Sequence, residues 1–279
     1  AVGTGKIIYW NAGADWPENV TDSAKARVTA WSVDAPPSYC AVNVTAGASA
    51  SSYPVTYYPS ADAVPGGVTN AAYKTNLILM RRVDPTGGVG FWMGSPANEN
   101  FRNAARESQV QVFLSKGYYV GVYEVTQSQW QKVMDSWPSN WSHNDYRLTR
   151  PVENVSYHDV RENTDNTPIS PNWPVSNAVG SDSFMGRLRV KTGLAGFDLP
   201  TEAQWEYACR AGTTGAMGDG TVNLSVFESD PVMDALGRYK HNLGMIFANG
   251  DWYTPDVALG VGAWTVTTNY ATATVGSYA

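Results

Sequence analysis

Clustered positive charge is missing from this chain, and so are histidine, cysteine and long apolar runs in any number. Its 279 residues carry a net charge of −6, and no basic cluster exceeds the pair Arg81-Arg82. A nucleic-acid partner would need a basic stripe, so that class is excluded. No uninterrupted apolar run approaches the roughly 18 residues that signal a membrane-spanning helix. Three histidines (His143, His158 and His241) are scattered without helical i, i+4 spacing and share no carboxylate, so they form no zinc or iron motif. Two cysteines, Cys40 and Cys209, allow one disulfide at most, and their spacing in sequence decides neither pairing nor compartment. Only 16% of residues are charged against 43% hydrophobic, which excludes extended disorder over most of the length. Tandem repeats are absent.

Aromatic side chains, by contrast, are plentiful, with 11 Trp and 16 Tyr. They read first as packing in a fold poor in regular structure, and second as a ligand surface. Residues 1–75 contain short β-branched and aromatic runs (6–10, 26–33, 39–44 and 53–58) punctuated by Gly, Pro, Asp and Ser. That pattern predicts a small antiparallel β segment, ending in the turn-rich stretch Ala61-Asp-Ala-Val-Pro-Gly-Gly67. From Asn76 the pattern alternates between strands and capped helices. Strands are expected over 76–83, 110–114 and 118–125. Thr126 with Gln129, and Thr201 with Gln204, have capping-box spacing. Ser156 caps a short helix. Another helix runs from Ser183 to Lys191, with Phe184 and Leu188 one turn apart and Gly193 closing it. In the helix after Thr201, Trp205 and Ala208 share a face with Cys209 beside them, and Cys209 reads as a small core residue. Gly212 is its expected stop. Residues 213–274, rich in Gly, Asn, Asp and Thr, read as a long loop.

Five segments together resemble one family. They are Phe91-Trp-Met-Gly-Ser-Pro96, Tyr118-Tyr-Val-Gly-Val-Tyr-Glu-Val-Thr-Gln-Ser-Gln-Trp130, Arg150-Pro-Val-Glu-Asn-Val-Ser-Tyr-His-Asp159, Leu199-Pro-Thr-Glu-Ala-Gln-Trp-Glu-Tyr-Ala-Cys-Arg-Ala-Gly212 and Val275-Gly-Ser-Tyr278. In this order they resemble the formylglycine-generating-enzyme, or sulfatase-modifying-factor, family over residues 76–279. The resemblance implies an α+β, loop-rich fold related to C-type lectins, here preceded by the β-rich segment 1–75. It also implies a further half, with Gly-Asn-Val-Trp-Glu-Trp-type strands and the two redox cysteines that bind copper in the oxidases. That half would follow the Val-Gly-Ser-Tyr strand, and the sequence runs to Ala279. The family's long loop helps to hold calcium, and the corresponding oxygen donors here are Asn249, Asp251, Asp256 and Asn269. Glu124, Glu202 and Glu206 are family-like carboxylates that read as structural, with Arg210 or Arg150 as the expected partner of a buried one.

The leading expectation is therefore a secreted, non-catalytic surface, structural or binding protein, extracellular or on the cell surface. Its sheet would be completed by another protein chain or a second copy of itself. The start Ala-Val-Gly-Thr-Gly fits a mature secreted chain, and equally a trimmed one. Two alternatives stand beside it. One is a copper- and oxygen-dependent oxidase converting a substrate cysteine to formylglycine, should the native chain extend past Ala279. The other is a lectin-like module binding carbohydrate or protein through Trp residues such as Trp252 and Trp264.

Overall fold

Alternation along one strand organises the molecule. In the computed structural model, which describes residues 30–32, 34–141, 144, 147–162, 177–221, 224–225, 230–239, 272–278 and the backbone of 246–248 and 251–253, strand β1 (Tyr39–Asn43) lies inside a four-stranded antiparallel sheet. Its neighbours are β2 (Val55–Tyr58) on one side and β3 (Leu77–Val83) on the other, with β6 (Tyr118–Gly121) beyond β3. Val42 is opposite both Val55 and Ile78, while Ala41 is opposite Thr56 and Leu79. Successive side chains point to opposite faces, so this register sends residues to two separate cores. Val42 and Ile78 join Val44, Tyr53, Trp130, Val133, Phe184 and Leu188 on one face. Ala41 and Leu79 join Val64 and Tyr73 on the other.

Two helices cover the first face. The helix α1 (Gln127–Met134) starts at the capping box expected from Thr126 and Gln129, and α3 (Phe184–Thr192) runs from Ser183 to Gly193, which is left-handed at φ 70°. The Trp130 and Phe184 rings stack with centroids 5.0 Å apart. Between them in sequence, α2 (Tyr157–Arg161) begins at Ser156, whose capping box is completed by Asp159. The second face is covered by two short 3-10 turns, Ala61–Ala63 and Ala71–Lys74.

The junction expected near residue 75 is not a boundary. The chain divides into the units Ala1–Pro36 and Pro37–Ala279, so β1, β2 and the 61–75 stretch belong with everything that follows. The reason lies in hydrogen bonding. Thr126 Oγ1 donates to the Lys74 carbonyl at 2.9 Å, and the buried Gln129 amide donates to the carbonyls of Tyr73 and Leu77 at 2.9 and 2.7 Å. Carbonyls on both sides of residue 75 are thus satisfied by the start of α1, which ties the turn-rich stretch to the sheet. Of the four strands expected before residue 75, two are present as β1 and β2. The runs 6–10 and 26–29 lie outside the described residues.

A separate two-stranded ribbon pairs β4 (Phe91–Met93) with β5 (Val110–Val112), and α4 (Glu202–Arg210) packs against it. Both β5 and β6 end sooner than the expected 110–114 and 118–125. The long 213–274 stretch is not all loop. It holds α5 (Pro231–Leu236), capped by Asp230 with proline at the helix start, and an antiparallel pair β7 (Ile246–Ala248) and β8 (Asp251–Tyr253). An Asx cap followed by Pro is the sequence signal for the helix, and Asn249-Gly250 between Ile246-Phe-Ala248 and Asp251-Trp-Tyr253 is the signal for the pair.

Candidate functional site

The two most distinctive motifs meet at one peptide group. On α4, Glu206 and Arg210 are one turn apart and face inward, with Arg210 Nε donating to Glu206 Oε1 at 2.8 Å. That same Glu206 oxygen accepts the Gly94 backbone N–H at 2.7 Å, and Arg210 Nη2 donates to the Gly94 carbonyl at 2.9 Å. Arg210 Nη1 continues to the Gly215 carbonyl at 3.0 Å. Both backbone groups of Gly94 are therefore held by a charged pair, which makes each hydrogen bond stronger than a neutral one. Gly94 itself has φ 92°, and a Cβ there would sit 2.8 Å from the Ser108 carbonyl oxygen. Only glycine fits that conformation and approach.

Neighbouring contacts fix the rest of the helix's inner side. Thr201 and Gln204 form the reciprocal capping box, the Phe91 and Tyr207 rings lie 4.9 Å apart, and the Tyr118 hydroxyl donates to the Gln204 carbonyl. Just before the helix, Asp198 accepts from Arg161 Nε at 2.7 Å and from Arg189 Nη2 at 3.2 Å, and Arg189 Nε reaches the Phe197 carbonyl. Burial opposes the Arg161 charge, but the Asp198 carboxylate outweighs it and pushes the guanidinium pKa up. This knot joins α2 and α3 to the entry of α4. Arg210, of the two arginines expected as partners for a half-buried glutamate, is the one used. Glu124 and Glu202 are exposed.

The outer side of α4 is open. No residue of this helix is fully buried, and Trp205 keeps 60% of its surface exposed. Glu202 and Cys209 are exposed beside it, and Leu199 lies part-exposed at the approach. Cys209 is thus not the core residue its position suggested. The spacing of Trp205, Ala208 and Cys209 correctly put them on one side, but the helix turns its charged pair inward instead, because Gly94 needs both groups. On the ribbon, Trp92 and Phe113 are likewise 54% and 55% exposed.

The two cysteines sit in different surroundings. Cys40 is buried in β1, and burial pushes its thiol up to about 12, so it stays protonated. Cys209 is exposed on α4, and both thiols are free. This is not the paired thiolate set that copper takes. Of the four calcium candidates, Asp251 begins β8, while Asn249, Asp256 and Asn269 lie outside the described residues. Among the described residues, no group of three His, Cys, Asp or Glu side chains converges as a metal site. His158 instead pairs with buried Glu162, Nδ1 to Oε2 at 2.8 Å. His143, His241 and Trp264 are outside the described residues, as is the Trp252 side chain. No described helix is long and apolar enough to cross a membrane.

Comparison with known proteins identifies the family. The model of the sulfatase-modifying factor enzyme 1-like domain matches residues 85–254, a range that holds the first motif, both strands of the ribbon and all of α4. The chain belongs to this family. A curated relative, described as chaperone protein LppX of Paenibacillus barcinonensis, is 30% identical over 151 residues, half of each chain. The sulfatase-modifying-factor chain thus spans about half the length of the curated relative it matches. No solved structure matches it. Its class is α+β, with helices packed on antiparallel sheets.

Proposed function

We propose that this member of the family is a non-catalytic polypeptide-binding module, and that its binding surface is the outer side of α4. The open face of the helix carries the proposal. Large apolar side chains that remain accessible on an otherwise anchored helix mark interaction sites, and Trp is enriched among residues that dominate interfaces. The inward pair Glu206 and Arg210 is committed to Gly94, which leaves this helix a rigid platform rather than an acid–base device. The name of the Paenibacillus relative, a chaperone, fits a surface that receives another chain. We read the α+β arrangement as the C-type-lectin-related fold that the family implies, with family membership as its support.

The test uses a permanently unfolded probe, reduced and carboxymethylated α-lactalbumin, titrated into the full chain by calorimetry. Saturable binding that weakens at least tenfold in Trp205→Ser, about the loss of one interface hot spot, is the expected result. Equal affinity of wild type and variant, or no binding, rejects the α4 surface.

Family membership favours one second reading, oxidation of a substrate cysteine to formylglycine. Against it, Cys40 is buried in β1 and Cys209 exposed on α4. That reading is tested by mass spectrometry of a cysteine-containing sulfatase peptide after incubation with the chain, copper and oxygen. The expected outcome is no loss of the cysteine sulfur.

A further inference from the structure

The ribbon offers a second surface, independent of α4. Among the described residues, strand β5 is paired on one side only, with β4. Natural edge strands usually carry Lys, Pro or a bulge that discourages pairing. Here the stretch Ser108-Gln-Val-Gln-Val-Phe-Leu-Ser115 has no charge and no proline. Val110 is 52% exposed, and Gln109, Gln111 and Phe113 are exposed as well. Within it the three strand residues Val110-Gln111-Val112 read the same in both directions.

We propose that β5 is a homotypic docking edge at which two copies of this chain pair antiparallel about Gln111. The partner is a second copy because the edge is complementary to itself. Pairing about Gln111 puts Val110 opposite Val112 of the second copy. Since Phe91 is opposite Val112 and Met93 opposite Val110 within each ribbon, an unbroken apolar row Phe91, Val112, Val110, Met93 then crosses four strands. On the other face Trp92 is opposite Gln111, and each Gln111, whose Nε2 donates to the Val89 carbonyl at 2.9 Å, meets its symmetry mate between two indoles. A two-fold axis places each residue against its own symmetry mate or its mirror position. A charge near the axis would oppose its own copy, and this stretch has none. A contact built on short strands is small, which places it in the weak, concentration-dependent class.

Sedimentation equilibrium of the full chain across a concentration series is the experiment. Wild type shifts towards twice the monomer mass with concentration. Gln111→Lys and Gln111→Glu each stay monomeric, while their equimolar mixture regains dimer, because opposite charges then face each other. Thermal melts verify that both variants fold. In wild type, hydrogen exchange at residues 110–112 slows as concentration rises, a readout that needs no variant. A wild type that stays monomeric throughout overturns the proposal. So does a Gln111→Lys chain that dimerises like wild type, or exchange at β5 that ignores concentration.

Discussion

Gly94 concentrates several demands in one residue. It needs a left-handed backbone, it has no room for a Cβ, and both its amide and its carbonyl are held by Glu206 and Arg210. Gly94→Ala should destabilise the chain by about 1–3 kcal/mol, the usual cost of forcing a side chain into such a conformation. Urea unfolding would measure it. Glu206→Gln keeps the volume but loses the charge, and a loss of about 1–3 kcal/mol is expected there too, since the Arg210 guanidinium loses its anionic partner. The thiols give a second residue-scale prediction. Cys40 titrates near 9.0 when exposed and about 12 in the fold, so folding favours the protonated thiol. Its contribution is complete below about pH 9 and is lost as pH rises towards 12. Buried Tyr53 and part-buried Tyr119, also pushed up by desolvation, act in the same direction. Cys40→Ala should therefore flatten part of the alkaline loss of stability seen by urea unfolding. In the native chain a thiol reagent should modify Cys209 quickly and Cys40 only on unfolding.

At the scale of elements, α4 behaves as a helix with two unequal sides. Replacing Trp205 by Ser should change stability by no more than about 0.5 kcal/mol, as for most exposed positions. Replacing Phe184, buried against Trp130, by Ala should remove about 3–5 kcal/mol. Thermal and urea melts of the two variants separate a surface Trp from a core Phe. These elements were legible in the sequence to different degrees. Caps at Thr126, Ser156 and Thr201 are legible directly, because a cap is a local hydrogen bond between residues three apart. The side of α4 that faces inward could not. Apolar spacing pointed to Trp205 and Cys209, whereas the inward side is chosen by a peptide group 112 residues away in sequence. Of the site's polar half, the sequence offers Arg210 or Arg150 as partner for a buried one of three glutamates without choosing the pair, and Gly94 as its target carries no signal beyond being a glycine in a motif.

For the whole molecule, the sheet β2-β1-β3-β6 is tied to α4 by the Tyr118 hydroxyl, which donates to the Gln204 carbonyl. A change of composition near residue 75 suggested a boundary, yet β1 and β3 pair along five residues across it. A chain starting at Pro37 should keep the cooperative melting transition, while one starting at Asn76 loses β1 and β2 and should not fold. Circular dichroism on the two truncations decides between these outcomes. The most direct test of polypeptide binding on α4 is hydrogen exchange of the full chain with and without reduced, carboxymethylated α-lactalbumin. Residues 199–210 should be protected when the unfolded probe is added, and Trp205→Ser should abolish that protection. Protection confined to other segments, with 199–210 unchanged, would contradict a binding face on this helix.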